Sequence, residues 1–330
     1  MLPITSHGYV GSNSNYVTTI IGKMKFWATN LLQWCAAVLI PMVRPRSGVF
    51  LISTPLRLHL AIKKRKIDLS RVEYLVPDQS DKLFELGLLK QIYNVVKACS
   101  NPSMIHTLFS ATLPDFIEDL ARTIMHDAVR VVVGRKNTAS ESIKQKLVFA
   151  GSEGGKLLAL CQSFSESLNP PVLVLVESKE RAKELCEELK FDDIRVDVIH
   201  SDLSQSQREN GVNDVRAGKT WVLIAIDVIA RGMDFKGVIC VINYDFPDSA
   251  AAYIHRIGQS GRAGRSGETI TFYSEVDIPY LWNIANMMAG SGCEVPSWSM
   301  ALPKLKGKKH KDADEKKKVV QASLGPRRIS

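Results

Sequence analysis

Long apolar runs are missing from this 330-residue chain. The longest, Leu31 to Val43, is broken by Gln33 and Pro41 and falls short of the roughly 20 residues a bilayer-crossing helix needs. It also stands too far from the first residue, with the wrong flanks, to read as a secretory leader. Paired cysteines are missing too. The six, Cys35, Cys99, Cys161, Cys186, Cys240 and Cys293, are scattered singly, with no Cys-x-x-Cys spacing and no accompanying histidines. That pattern argues against a zinc ribbon or a disulfide scaffold and is the usage of reduced core thiols in a cytosolic or nuclear protein. No membrane partner is expected.

Acidic charge is in short supply. Asp and Glu number 34 against 43 Lys and Arg, a formal charge of +9 that favours a polyanionic partner. The excess is unevenly placed: from Ala301 to Ser330 ten Lys and Arg face three Asp and Glu, so this tail holds seven of the nine net charges. The remainder is nearly neutral, and any grip on nucleic acid there has to come from local geometry. With 45% hydrophobic residues and enough length for two ordinary domains, burying a core is not in question.

Residues 1–48 have no clear period and form a divergent N-terminal segment. From Val49 the pattern becomes regular. Val49 to Ile52, Val72 to Val76, Met104 to Phe109 and Val129 to Val133 read as strands, with helices over Arg57 to Lys66, Asp81 to Ala98 and Pro114 to Met125. A polar stretch without apolar period, residues 134–142, reads as a linker. The alternation then repeats more completely. Strands are expected over Lys144 to Phe149, Val172 to Val176, Arg195 to Ile199, Val222 to Ala225 and Val238 to Asn243, with helices over Gly155 to Ser167, Lys179 to Lys190 and Ser204 to Ala217. Strands alternating with helices imply right-handed βαβ units, a parallel sheet covered on both faces, and ligands at the carboxyl ends of its strands. The basic stretch 291–330 reads as a disordered tail.

The most informative run is Tyr253 to Arg265, where basic side chains recur every three residues between glycines. Arginine offers a planar fork of donors, and glycine lets backbone approach an anion without a Cβ in the way, so the run is suited to gripping phosphate. Arg231-Gly232-Met233-Asp234 lies upstream of it after an apolar strand-like run. Together these segments resemble motifs V and VI of the DEAD-box RNA helicases. Thr54-Pro55-Leu56-Arg57 resembles motif Ib, Ser110-Ala111-Thr112 motif III, Val174 to Lys179 motif IV, and Gln205-Ser206-Gln207-Arg208 the Gln-x-x-Arg element. Asp78-Gln79-Ser80-Asp81 stands where the family carries its signature, in the form of a subgroup that reads Asp-Glu-Ser-Asp and is associated with ribosomal-RNA maturation.

The resemblance covers about residues 49 to 300 and implies an α/β fold of two RecA-like parallel-sheet domains. The first, truncated, is the ATP-binding domain over residues 49–133; the second, nearly complete, is the helicase C-terminal domain over 143–290. It further implies ATP with Mg2+, and RNA-stimulated ATP hydrolysis coupled to local unwinding. RNA is the implied partner, pre-rRNA above all, with pre-ribosomal proteins possible beside it and no oligomer, in the nucleus and nucleolus. By the same resemblance Asp78 orients magnesium through bound water, and Asp234 and Arg262 contact the nucleotide, Arg262 as an arginine finger. Asp81, Ser110, Thr112, His255 and Arg256 couple the domains; Thr54, Pro55, Arg57, Gln205, Arg208, Arg231 and Gly232 hold RNA by its phosphates.

Five departures from the family pattern bear on activity. Gln79 replaces the glutamate that deprotonates the attacking water, and an amide keeps the shape while losing the base. Gln259 replaces the second arginine finger, and Ile226 a threonine. Pro77 is expected to remove a ladder N–H and shift Asp78. Finally, no stretch from Met1 to Val49 supplies a Gly-x-x-x-x-Gly-Lys-Thr loop to cradle phosphates. Two function classes therefore stand: an ATP-dependent RNA helicase, and a catalytically inactive RNA-binding or assembly protein, or a degenerate gene product, derived from one.

Overall fold

The computed structural model describes residues 7–10, 38–44, 47–85, 88–113, 115–125, 128–132, 142–166, 169–227, 235, 237–261 and 266–304. The chain forms two compact units, Ile4–Lys136 and Asn137–Lys308, and the division falls inside the expected linker.

The second unit is built on a six-stranded, wholly parallel sheet. Its strands, numbered along the whole chain, are β7 (Ile143–Gly151), β8 (Val172–Val176), β9 (Val196–Ile199), β10 (Val222–Ile226), β11 (Cys240–Asn243) and β12 (Gly267–Ser274), in the order β7-β12-β11-β8-β10-β9. All five residues of β8, Val-Leu-Val-Leu-Val, are buried because helices cover both faces of a central parallel strand. Their alternation divides them between two cores. Val172, Val174 and Val176 pack with Val222, Ile224, Cys240 and Ile242, whereas Leu173 and Leu175 pack with Leu223, Ala225 and Val241. Helix Lys179–Phe191 seals the first core with Ala182, Leu185 and Leu189; helix Gln205–Arg216 seals the second with Val212 and Val215. A third cluster joins Tyr253 and Ile257 of helix Ala250–Ile257 to Ile284 and Met288 of helix Leu281–Gly290.

The first unit carries a mixed sheet, ordered β3-β2-β4-β5-β1-β6 for strands β1 (His7–Val10), β2 (Val38–Arg44), β3 (Ser47–Ser53), β4 (Tyr74–Pro77), β5 (Ile105–Ser110) and β6 (Val129–Val132). Among the described residues only β4 and β5 pair in parallel, through Tyr74 with Ile105 and Leu75 with His106. β2 and β3 form an antiparallel hairpin, β2 meets β4 antiparallel, and β1 lies antiparallel between β5 and β6. The segment read as patternless thus supplies two strands. Pro41 is tolerated in β2 because β4 pairs only with Val38 and Leu39, leaving one flank of the strand open at the proline.

Three further expectations are corrected. The single helix expected over Asp81 to Ala98 is two, Ser80–Glu85 and Leu89–Ala98, with the poor helix former Gly87 in the sequence between them. Pro77 ends β4 opposite Val38, and the β4–β5 ladder stops at Leu75, so the missing N–H falls beyond the parallel pairing and leaves it intact. Residues 291–304 are not part of a loose tail. Cys293 and Val295 pack on the third core cluster, and Trp298, in the short helix Ser297–Met300, lies against Tyr273 with ring centroids 6.4 Å apart.

Because Leu175 is fully buried in a central strand, Leu175→Ala should lower the unfolding free energy by about 2–5 kcal/mol. Urea denaturation followed by circular dichroism checks this, and a loss under about 1 kcal/mol contradicts the core assignment.

Candidate functional site

The first unit places its signature residues at the end of β4. Asp78 is half-buried, and its carboxylate accepts a bond from the Gln79 amide at 2.9 Å. Burial pushes the Asp78 carboxyl above the ordinary carboxylate range; the Gln79 amide opposes this and the neighbouring Asp81 adds to it. Gln79 itself sits at φ +51, a left-handed conformation costing a non-glycine residue about 1–2 kcal/mol. That turn lets the Gln79 carbonyl accept from Leu83 N at 3.1 Å and start helix Ser80–Glu85.

Asp81 faces the other way, into the unit. It is buried and accepts from Thr112 Oγ1 at 2.5 Å and from Thr112 N at 3.3 Å, while its own N–H donates to Ser110 Oγ at 3.1 Å. Ser110 Oγ in turn donates to the Thr112 carbonyl at 2.6 Å. The sequence motifs around Asp81 and Ser110-Ala111-Thr112 are therefore one closed network, in which the Ser110 hydroxyl stands between two partners and the Thr112 hydroxyl donates to Asp81.

In the second unit a buried guanidinium organises the carboxyl end of the sheet. Arg256, 4% exposed, donates from Nε to Asp227 Oδ1 at 2.6 Å and from Nη2 to Asp227 Oδ2 at 2.9 Å, a bidentate fork just after β10. Its Nη1 donates to the Asp245 carbonyl beyond β11. The Asp245 carboxylate accepts from Glu177 N at 2.8 Å and meets Arg181 Nε at 3.0 Å and Lys156 Nζ at 3.7 Å. Lys156 and Arg181 are also both paired with Glu153. The ends of β8, β10 and β11 are thus tied by one chain of charges.

His255, half-buried, neighbours this clamp on helix Ala250–Ile257, which Ser249 caps by accepting from Ala252 N at 3.1 Å. Gln259 is buried, with its Nε2 turned back to the His255 carbonyl at 3.4 Å. Thr54 is the N-cap of helix Pro55–Lys63 and makes no side-chain capping bond, Pro55 is its first residue, and Arg57 is exposed one turn in. Gln205 opens helix Gln205–Arg216, whose capping box joins Ser204 and Gln207; Arg208 lies half-buried in its first turn, its Nε 3.5 Å from the Ser204 carbonyl. Arg231, Gly232, Asp234 and Arg262 lie outside the described residues. Among the described motif residues, the structure bonds Asp81, Ser110 and Thr112 to one another and leaves the other groups on separate elements. The sequence reading missed Asp227, Asp245, Lys156 and Arg181 as organising charges, although Asp227 stands only four residues before Arg231.

The C-terminal part, residues 155–264, matches the helicase conserved C-terminal domain, and residues 43–120 match the DEAD/DEAH box helicases. DEAD-box ATP-dependent RNA helicase 57 of Oryza sativa subsp. japonica is 74% identical over 261 residues, which are 79% of this chain and 48% of that protein. The chain belongs to the DEAD-box RNA helicase family. ATP-dependent RNA helicase ROK1 of Eremothecium gossypii is 48% identical over 256 residues, covering 77% of this chain and 45% of that one. The chain spans about half the length of these curated relatives. Among solved structures, S. cerevisiae Dbp5 bound to RNA and ADP BeF3 superposes with a TM-score of 0.62 at 27% identity, over 83% of this chain and 68% of that one. The family implies ATP use.

The residues present fit ATP and magnesium only in part. Asp78 would supply one carboxylate for a magnesium-bound water, but Gln79 cannot accept a proton and the Gln259 side chain is turned back to the His255 carbonyl. No hydrolytic step follows from that set.

A carboxyl raised by burial gives stability that is present below its unfolded pKa and lost as pH rises through the folded value. Asp78→Asn should therefore melt at a higher temperature than the parent at pH 7, with the gain vanishing near pH 4 and below, around the ordinary Asp pKa of about 3.9. Thermal melts across that range decide it, and an equal or lower melting temperature at pH 7 refutes the assignment.

Proposed function

We propose that this chain is, by class, a DEAD-box ATP-dependent RNA helicase acting on pre-rRNA in nucleolar small-subunit assembly, and that this chain alone keeps RNA holding without ATP hydrolysis. One observation carries the reading: the closed network of Asp81, Ser110 and Thr112 stands beside an amide, Gln79, at the position of the water-activating base. The framework that positions a reaction persists while the group that drives it is gone. The tie between Arg256, Asp227 and Asp245 supports the same division in the second unit.

RNA is held by its phosphates. The helix starts at Thr54-Pro55 and Ser204-Gln205 present backbone amides where anions are favoured, with Arg57 and Arg208 adding charge. Arg231 and Gly232 complete the phosphate-facing set, and Asp234 and Arg262 are the nucleotide contacts. Asp78 would hold magnesium through water. Pre-ribosomal proteins are the partners beside RNA, and the chain works as a monomer.

Phosphate release should not rise when single-stranded RNA is added to the purified chain with ATP and Mg2+. Gln79→Glu alone should leave it flat, since a base gains nothing until the γ-phosphate is held in line. Turnover that climbs with RNA and disappears in Arg262→Ala overturns the inactive reading.

RNA affinity should be sequence-independent, unchanged by ATP analogues and steeply reduced by salt. Deleting residues 301–330 should flatten the salt slope more than Arg208→Ala does, because that tail holds seven of nine net charges. Titrations of labelled RNA at several salt concentrations test this; an unchanged slope in the shortened chain together with tightening by an ATP analogue shows a working clamp instead.

A further inference from the structure

Helices Pro55–Lys63 and Leu89–Ala98 rest on one core of the first unit, where Leu58 and the half-buried Ile62 of the first meet Val95 and the half-buried Val96 of the second. Their outer faces therefore share one side of the unit. Leu56, His59, Leu60 and Lys63 recur at i, i+3, i+4 and i+7 along the first helix, and Lys90, Tyr93, Asn94 and Lys97 along the second, so each set forms one stripe. Asn94 Nδ2 lies 3.4 Å from His59 Nδ1, which joins the two stripes at their middle. On this joint face Leu56 is 48% exposed, Leu60 44% and Tyr93 47%.

The charge around these three side chains has one sign. Neither helix contains a carboxylate, and Lys63, Lys90 and Lys97 are all exposed. Past Lys63 the chain adds Lys64, Arg65 and Lys66, also exposed, before its first acid, Asp68. That basic run is an ordered turn. Arg65 N donates to the Ile62 carbonyl at 2.9 Å and Lys66 N to the Ala61 carbonyl at 3.0 Å, and Arg65 takes the left-handed position, φ +52, that glycine usually fills at a helix end. Among the described residues no carboxylate pairs with these cations, and Asp68 is bonded to Ser70 N and Oγ instead. Helix-end electrostatics account for Lys63 and Lys97 in last turns, but Lys90 stands in a first turn, where the helix dipole opposes it.

We propose that the outer face of these two helices docks an acidic segment of a protein partner, its apolar side chains against Leu56, Leu60 and Tyr93 and its carboxylates against Lys63, Lys90 and Lys97. Exposed leucines gain nothing from phosphates and do not stack on bases, whereas such a segment covers the apolar groups and complements the charge together. A second copy of this face is repelled by like charge. The chain's own residues 301–330, with ten Lys and Arg against three Asp and Glu, are repelled in the same way. The inference adds a protein-binding face to the RNA reading above and does not depend on it.

The probe is a synthetic peptide of about 14 residues, about four helical turns, with leucine at every third or fourth position among glutamates. Its control carries serine at each leucine position. Fluorescence anisotropy with the full chain at about 0.1 M salt, where screening sets in over about 10 Å, should show the leucine peptide binding about tenfold or more tighter than the control. Leu60→Ala and Tyr93→Ala should each weaken it by about threefold or more, and Lys90→Glu combined with Lys97→Glu by about tenfold. The two alanine variants remove exposed side chains, so their melting temperatures and their affinity for an oligouridylate of about 12 nucleotides should match the parent's. Tyr93→Phe keeps the ring and should keep the peptide affinity, which separates loss of the contact from loss of the fold. No binding of the leucine peptide overturns the proposal, and so does equal binding of the serine control, because charge alone then suffices. An oligouridylate that displaces the peptide and loses as much affinity in Leu60→Ala assigns the face to RNA and also overturns it.

Discussion

The buried fork of Arg256 on Asp227 is the interaction on which the second unit's working end depends. A guanidinium taken out of water loses several kcal/mol of hydration, and only a well-aligned carboxylate with further acceptors offsets that loss. Arg256 has both: two bonds to Asp227 and a third to the Asp245 carbonyl. The arrangement has a geometric effect beyond its energy. Asp227 lies just past β10, Asp245 just past β11, and the Asp245 carboxylate takes the Glu177 amide just past β8. One side chain on helix Ala250–Ile257 therefore fixes the spacing of three turns that the parallel sheet alone would leave free. Lys156 and Arg181 complete the balance of charge around Asp245, so that the site is rigid without being strongly charged.

The first unit reaches a comparable end by smaller means. Its network uses a carboxylate, two hydroxyls and backbone groups to hold Asp81 inward, and this frees Asp78 to stand at the rim. Turning two neighbouring carboxyls in opposite directions over three residues requires an unusual backbone, and the left-handed Gln79 supplies it. The strain is accordingly local and sits at the residue that differs from the family pattern.

The second unit was largely legible from its pattern, because apolar runs such as Val172 to Val176 separated by helical periods leave little choice but a covered parallel sheet. The first was less so. Antiparallel pairing of β2 with β3 and β4 depends on which distant segments meet, and a run interrupted by Pro41 gives no period to read. Asp81, Thr112 and Arg256 stand in recognisable motifs, and the structure shows each of them bonded within its own unit. Asp245, Lys156 and Arg181 were not legible as organising charges, since their meaning comes from partners tens of residues away that only the strand order brings together. The start of the tail was misplaced for a related reason: a stretch with few apolar residues can still dock through single large anchors such as Trp298.

Gln259 is fitted to the space it occupies. Its side chain is 4% exposed and turned onto the His255 carbonyl, in a space bounded by packed helix and strand. An amide is content there as a short neutral donor. A guanidinium in the same space would bring a permanent charge into a buried location, which is costly unless the charge is paired there. An arginine at this position would therefore need a carboxylate or carbonyl partner, or would have to leave the space that Gln259 fills, so restoring a charge here is a question of packing as much as of chemistry.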